Sequence, residues 1–253
     1  MPLAHILASC PSWFHVAGAT EDEILGSARI ELEGAVGTID VDLRIGNSSG
    51  AVAVQEQVPG TKYPKTCHER HLQSDEHFCL GMHAGNDIVS RDHANVWWGL
   101  LRHFLELQRV AERTKRWPPQ QQMSHGDAGP HHQAAIEAAR KLGIEDDYMR
   151  MLEGEESWFS TGTYKVNDRG KLANGWLPCP AGCKSQGKLI TRSRCCNSKA
   201  VVTLLYQEKL RRMKVDLFYA LSRLSGEVCC GTMLNCPLRE GSSSTAARVT
   251  ASV

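Results

Sequence analysis

The chain has 253 residues, 42% of them hydrophobic, and a formal net charge of +1. That length suits one large domain or a medium domain plus a small one, and the balanced charge gives no global pull toward nucleic acid or an anionic membrane. No stretch approaches the roughly 18 uncharged apolar residues of a membrane span, and residues 1–10 lack a basic n-region, so neither a membrane anchor nor a signal peptide is expected and the chain is expected in the cytoplasm.

Residues 1–22 have no clear period and read as a short strand or helix leaning on the core. From Ser27 the pattern alternates: Ala28, Ile30 and Leu32 are apolar, while Arg29, Glu31 and Glu33 are polar. Gly34 and Gly37 bracket a turn, after which Ile39, Val41, Leu43 and Ile45 alternate with Asp40, Asp42 and Arg44. Period two on both sides of a turn predicts an antiparallel hairpin with one wet face. Residues 51–58 form a third strand, stopped by Pro59-Gly60.

Residues 96–116 make the strongest helix of the first half, with Ser90, Asp92 and Asn95 as capping candidates. Trp97, Leu100, Leu101, Phe104, Leu107, Val110 and Ala111 form its apolar stripe, and Trp117-Pro118-Pro119 ends it. Shorter helices are expected over 131–142, with Gly143 just past the end, and over 144–152. A meander followed by helices predicts an α+β layer.

Residues 153–175 are polar and dotted with glycine, and the boundary is placed there. This gives one domain over 1–155, a Cys-rich domain over 156–240 and a disordered tail over 241–253. The second domain is expected to hold a long helix over 199–224, capped by Ser198, with Val202, Leu205, Met213, Leu217, Leu221 and Leu224 as its stripe. Lys209, Arg211, Arg212 and Lys214 on this helix form a basic patch that reads as a solvated face.

The ten cysteines of a chain expected inside the cell argue for catalysis or metal rather than disulfides. Seven crowd into one late segment. Structural zinc uses four Cys or His ligands from short knuckles. Cys179 and Cys183 offer one knuckle, and Cys195, Cys196, Cys229, Cys230 and Cys236 offer further ligands; reduced, packing cysteines are the alternative. No organic cofactor is implied. Cys67 reads as structural.

The remaining signal is the stretch YPKTCHERHLQSDEHFCLGM, residues 63–82. Cys79 lies between Phe78 and Leu80, and Gly81 suits a backbone that bends just after the thiol. Tyr63-Pro64, His71-Leu72-Gln73 and Phe78-Cys79-Leu80 resemble, in order, the strand-end Tyr-Pro, the His-Pro-Asn loop and the cysteine triplet of the ubiquitin-conjugating enzymes, and specifically of their bacterial relatives. The resemblance covers about residues 25–152. It departs in two places: Cys79 follows His71 by only eight positions, and Gln73 stands where Asn is usual.

The resemblance implies a ubiquitin-conjugating (UBC) fold of meander sheet packed by helices; it does not reach the last hundred residues, where the cysteine spacing alone points to a small Cys-rich, zinc-binding helical domain. It implies a transferase that carries a ubiquitin-like modifier as a thioester on Cys79. His71 would brace the loop, Gln73 would serve the oxyanion, and Asp87, Asp92 or His93 would orient the incoming amine; His77 and His83 stand close enough to tune the thiol. His125-Gly126-Asp127 is either a turn or a further approach to the site. The implied partners are an activating enzyme and either a ubiquitin-like modifier or a nucleotidyltransferase, in a bacterial anti-phage operon. The competing expectation is a non-catalytic scaffold whose zinc-stabilised domain binds protein or nucleic acid. A thiol protease or redox enzyme ranks lower, because no Cys-x-x-Cys accompanies a βαβ pattern.

Overall fold

The computed structural model describes residues 1–32, 37–157, 165–166, 168 and 172–239. It divides into two compact units: residues 1–118 with 228–253, and residues 119–227. The sequence reading put its single boundary near 155; the structure parts the chain at two points, 118/119 and 227/228. The tail over 241–253, together with Glu33, Gly34, Trp158, Phe159 and Tyr164, lies outside the described residues.

In the first unit, helix α1 (Pro2–Ala8) and strand β1 (Phe14–Ala19) occupy the segment without clear period. Strands β2 (Glu23–Glu31), β3 (Thr38–Ser48) and β4 (Ala51–Glu56) follow, and the four make one antiparallel meander in chain order. The alternation becomes a two-faced sheet. Ala28 pairs with Val41 and Ile30 with Ile39, and all four are buried. The polar neighbours Arg29 and Asp40 pair on the wet face. A one-residue slip would turn this set to water, so the register is strongly specified.

Helix α2 (Arg91–Thr114) begins five residues earlier than the expected start at 96, because Ser90 Oγ accepts from the His93 amide at 3.2 Å. Trp97, Trp98, Leu101, Phe104, Leu105 and Ala111 are buried, whereas Val110 at the stripe's edge is exposed. Trp98 Nε1 donates to the Ile6 carbonyl at 3.0 Å and so ties α1 to α2. The segment after residue 227 completes this core: Met233 and Cys236 are buried in it, and the Leu234 amide donates to the Lys115 carbonyl at 2.9 Å.

The second unit is helical. Helix α3 (Gly129–Leu142) ends at Gly143 with φ 69°, the left-handed geometry a C-terminal glycine supplies. Helices α4 (Glu145–Leu152) and α5 (Ser198–Leu224) follow, with a two-stranded hairpin, β5 (Lys184–Ser185) and β6 (Lys188–Leu189), between them. Ala135, Ala138, Ala139, Leu142, Tyr148, Val201, Leu204 and Leu205 form its core.

Two expectations for α5 are corrected. Ser198 is its first helical residue; Asn197 holds the cap position without a side-chain bond to the helix, its side-chain amide donating instead to the Lys141 carbonyl at 3.1 Å. The stripe is also not a packing face along its whole length, since Met213, Leu217, Leu221 and Leu224 are exposed. The helix instead buries Glu208, whose carboxylate meets Arg211 at 2.7 Å and Arg212 at 2.6 Å and accepts from the Tyr148 hydroxyl at 2.6 Å. The basic patch is therefore paired: Lys209 reaches Asp168 at 3.6 Å and Lys214 reaches Asp127 at 3.2 Å.

Candidate functional site

The loop that carries Cys79 is built from the end of β4. Glu56 is buried, and its carboxylate accepts from the amides of Gly60 (2.9 Å), Lys62 (2.6 Å) and Tyr63 (3.3 Å), which folds the Pro59-Gly60 turn back on the strand. Cys67 and Leu72 then bond each other through both backbone groups, at 2.9 and 3.0 Å. Between them a 3₁₀ turn (His68–Arg70) ends at His71, whose φ of 54° is left-handed. The Phe78 amide donates to the Val54 carbonyl at 2.8 Å, and the Phe78 ring stacks on Phe104 with centroids 4.9 Å apart. Phe78 is the anchor, and Cys79 is the next residue out.

Cys79 is half-buried. Its amide donates to the His71 carbonyl at 2.8 Å. Burial pushes its thiol above the ordinary value, and the Gly81 amide, directed at the sulfur, offsets part of that rise. Gly81 has φ 142°, the bend expected after the thiol. The loop returns to the sheet at Gly85, whose carbonyl accepts from the Val52 amide at 2.9 Å. A Cβ at Gly85 would stand 2.0 Å from the Val52 carbonyl oxygen, so only glycine permits this approach.

Cys79 opens on a cleft of about 240 Å³ that Gln73, Asp75, His77, Met82 and Asn86 also line. Gln73 is exposed there. The His71 side chain lies behind the loop: it is buried, packs on Trp117 at 4.8 Å, and is lowered to about 4 by burial and then by His68. A neutral imidazole with that value is no general base near pH 7. Asp87 is not among the cleft's lining residues; its carbonyl accepts from His93 Nδ1 at 2.7 Å. Asp92 lies exposed in the first turn of α2. His83 Nδ1 faces Asn86 at 3.5 Å. Gly126–Ala128 form a 3₁₀ turn in the second unit, with His125 at the position just before it.

Asp75 is the cleft residue that sequence reasoning missed. Its carboxylate meets His77 Nδ1 at 3.1 Å. Burial would raise Asp75, and the His77 hydrogen bonds outweigh that and hold it below its ordinary value. The Asp-x-His spacing four and two residues before the cysteine was the available signal.

Eight of the ten cysteines fall into two sets. In the second unit, Cys179 and Cys195 have sulfurs 3.4 Å apart, Cys183 bonds Cys179, and Cys196 acts on both Cys183 and Cys195. The amides of Ala181 and Asn197 point at the sulfurs of Cys179 and Cys195, two residues back in each case. The hairpin β5–β6 closes this knuckle: the Cys179 amide donates to the Ile190 carbonyl and the Ile190 amide to the Cys183 carbonyl. Such a donor set suits a thiophilic cation. Cys229, Cys230 and Cys236 do not share this set; they belong to the first unit. There the hydrogen bond between Cys67 and Cys230 is the first cause that lowers the Cys230 thiol to about 5 and drives that of Cys67 far up.

The first unit thus sets a thiol on a loop after an antiparallel meander, with a helix packed behind it. Residues 13–119 match the family model described as prokaryotic E2 domain, and residues 124–238 match the one described as cysteine-rich domain, C-terminal to E2 domain. Their order along the chain is that of the bacterial E2-like proteins that carry a Cys-rich domain. No curated protein and no solved structure matches the chain. Among the described residues no helix is long and apolar enough to cross a membrane.

Proposed function

We propose that the chain is a conjugating transferase that carries the C-terminal acyl group of a ubiquitin-like modifier, or of a modified partner, as a thioester on Cys79. In charging, the Cys79 thiolate attacks the thioester carbonyl held by an activating enzyme; a new C–S bond forms, the old one breaks, and the activating enzyme's thiolate leaves. In discharge, an amine attacks the same carbon, Cys79 leaves as thiolate, and the amine's proton passes to a base. Gln73 is the donor for the developing oxyanion, Asp75 orients the amine, and neutral His71 braces the loop. Asp87 stays a weaker choice for the amine, since it does not line the cleft.

The observation that carries this reading is the Cys79 thiol opening on a polar cleft with the Gly81 amide beside it. Cys179, Cys183, Cys195 and Cys196 would hold a structural Zn²⁺ that closes the thin core of the second unit. The bacterial resemblance adds a cytoplasmic setting in an anti-phage operon, with a modifier or a nucleotidyltransferase as partner; the neighbouring genes test it. The chemistry is tested on a non-reducing gel with the activating enzyme and modifier encoded alongside. A reductant-sensitive adduct is expected for the native chain, a reductant-resistant ester for Cys79→Ser and none for Cys79→Ala. An adduct that persists in Cys79→Ala overturns the assignment.

A second reading is a non-catalytic scaffold whose Cys-rich unit binds a partner protein. The exposed Met213, Leu217, Leu221 and Leu224 favour it. The paired cations of α5 speak for protein rather than nucleic acid.

A further inference from the structure

Cys67 sits in the loop that leads to Cys79, while Cys229, Cys230 and Cys236 lie about 160 residues later, yet all four meet in the first unit. The sulfurs of Cys67 and Cys230 are 2.8 Å apart. Cys236 is hydrogen-bonded to Cys229 and lies close enough to Cys67 to act on its charge. All four cysteines are free.

Each sulfur also has a backbone amide directed at it from a few residues on: Arg70 toward Cys67, Gly231 toward Cys229 at 3.4 Å, Thr232 toward Cys230 and Leu238 toward Cys236. Three of these are two residues ahead of the cysteine, the arrangement also found at Cys179 and Cys195. Amides so aimed orient thiolates and stabilise their charge, the task of the groups behind a metal's ligands.

One buried cation stands beside the cluster. Arg70 is buried, and its described hydrogen bonds go to neutral groups: Nε to Gln108 Oε1 at 2.8 Å and Nη2 to the Gln108 carbonyl at 3.2 Å. Its guanidinium lies 5.5 Å over the Tyr63 ring and acts on Cys230. A buried cation with neutral partners is costly, and a cage of thiolates beside it would offset that cost.

We infer that Cys67, Cys229, Cys230 and Cys236 form a second site for a thiophilic divalent cation, zinc first, separate from the cysteines of the second unit. Four thiolates around zinc at about 2.3 Å place their sulfurs about 3.8 Å apart. Cys67 and Cys230 are closer than that, and among the described residues no group of three or more His, Cys, Asp or Glu is already placed to hold a metal ion. The cation would spread the sulfurs by about 1 Å, within reach of side-chain rotation. Bound, it clips residues 229–236 to the segment whose next turn carries His71 and hence Cys79. This inference does not rest on the thioester reading.

The test is metal content of the full chain purified under reducing conditions, with circular dichroism as the control for folding. Cys67→Ser is expected to lose one equivalent of zinc relative to the native chain, Cys183→Ser to lose one, and the double variant to lose two. Should Cys67→Ser fail to fold, alkylation of the native chain decides. Cys67, Cys230 and Cys236 are expected to resist iodoacetamide until a chelator is added. An unchanged metal count in Cys67→Ser overturns the site, as does protection that survives chelator but yields to reductant, which would mark a Cys67–Cys230 disulfide. The adduct gel depends on Cys79 alone, so the two proposals fail separately.

Discussion

The Cys79 amide donates to the His71 carbonyl at 2.8 Å, and His71 holds that carbonyl in place from a left-handed backbone with its ring against Trp117. His71 is lowered to about 4 by burial and by His68, against an ordinary 6.5. The unfolded chain therefore binds the proton first as pH falls. The stability His71 contributes is complete above pH 6.5 and lost progressively toward pH 4. The loss amounts to about 3 kcal/mol for a shift of this size. Urea midpoints of the native chain should fall over that window, and His71→Asn should be flatter there. His132 in the second unit, lowered to about 4 by burial and Arg211, should act likewise.

Only the thiolate attacks, and burial lifts the Cys79 thiol above its ordinary 9.0. The charging rate at fixed activating enzyme should rise about tenfold per pH unit from roughly pH 6.5 to 8.5 without levelling. Single-turnover kinetics with pre-loaded activating enzyme would measure it. A plateau below pH 8 would mean that the thiol is not the raised one described.

Asp75→Asn should leave charging nearly intact and slow discharge onto lysine by about 10²-fold, the ordinary range for a lost general base. Adding free lysine to the pre-formed adduct separates the two steps. Equal loss in both would assign Asp75 to loop structure through His77.

Gly85→Ala puts a methyl group into the Val52 carbonyl. Overpacking of this kind costs about 1–3 kcal/mol, and it should displace the loop that closes the Cys79 cleft. A fall in melting temperature with a disproportionate fall in charging is expected.

Glu208 is the buried counter-charge of Arg211 and Arg212. Glu208→Gln removes the carboxylate that the buried Arg211 faces and should destabilise the second unit by about 3 kcal/mol. Calorimetry should show one transition moving while Cys79 still charges.

The strands were legible because Ile30, Ile39 and their neighbours alternate with a strict period of two, and α2 because its tryptophans and leucines repeat at three and four. What escaped was set by long-range closure. Cys67 is separated from Cys230 by 163 positions, so no local pattern couples them. The α5 stripe misled because a periodic face says which side is apolar, not how far along the helix a partner extends. Asp75 was passed over because its partner His77 drew attention to the thiol instead.

The first unit needs Met233 and Cys236 to finish its interior, yet these are made after the whole second unit. A nascent chain ending near residue 119 would present a meander with an open seam and an unshielded Cys67. A fragment cut at that point should therefore be less stable than the full chain, which a urea midpoint would measure.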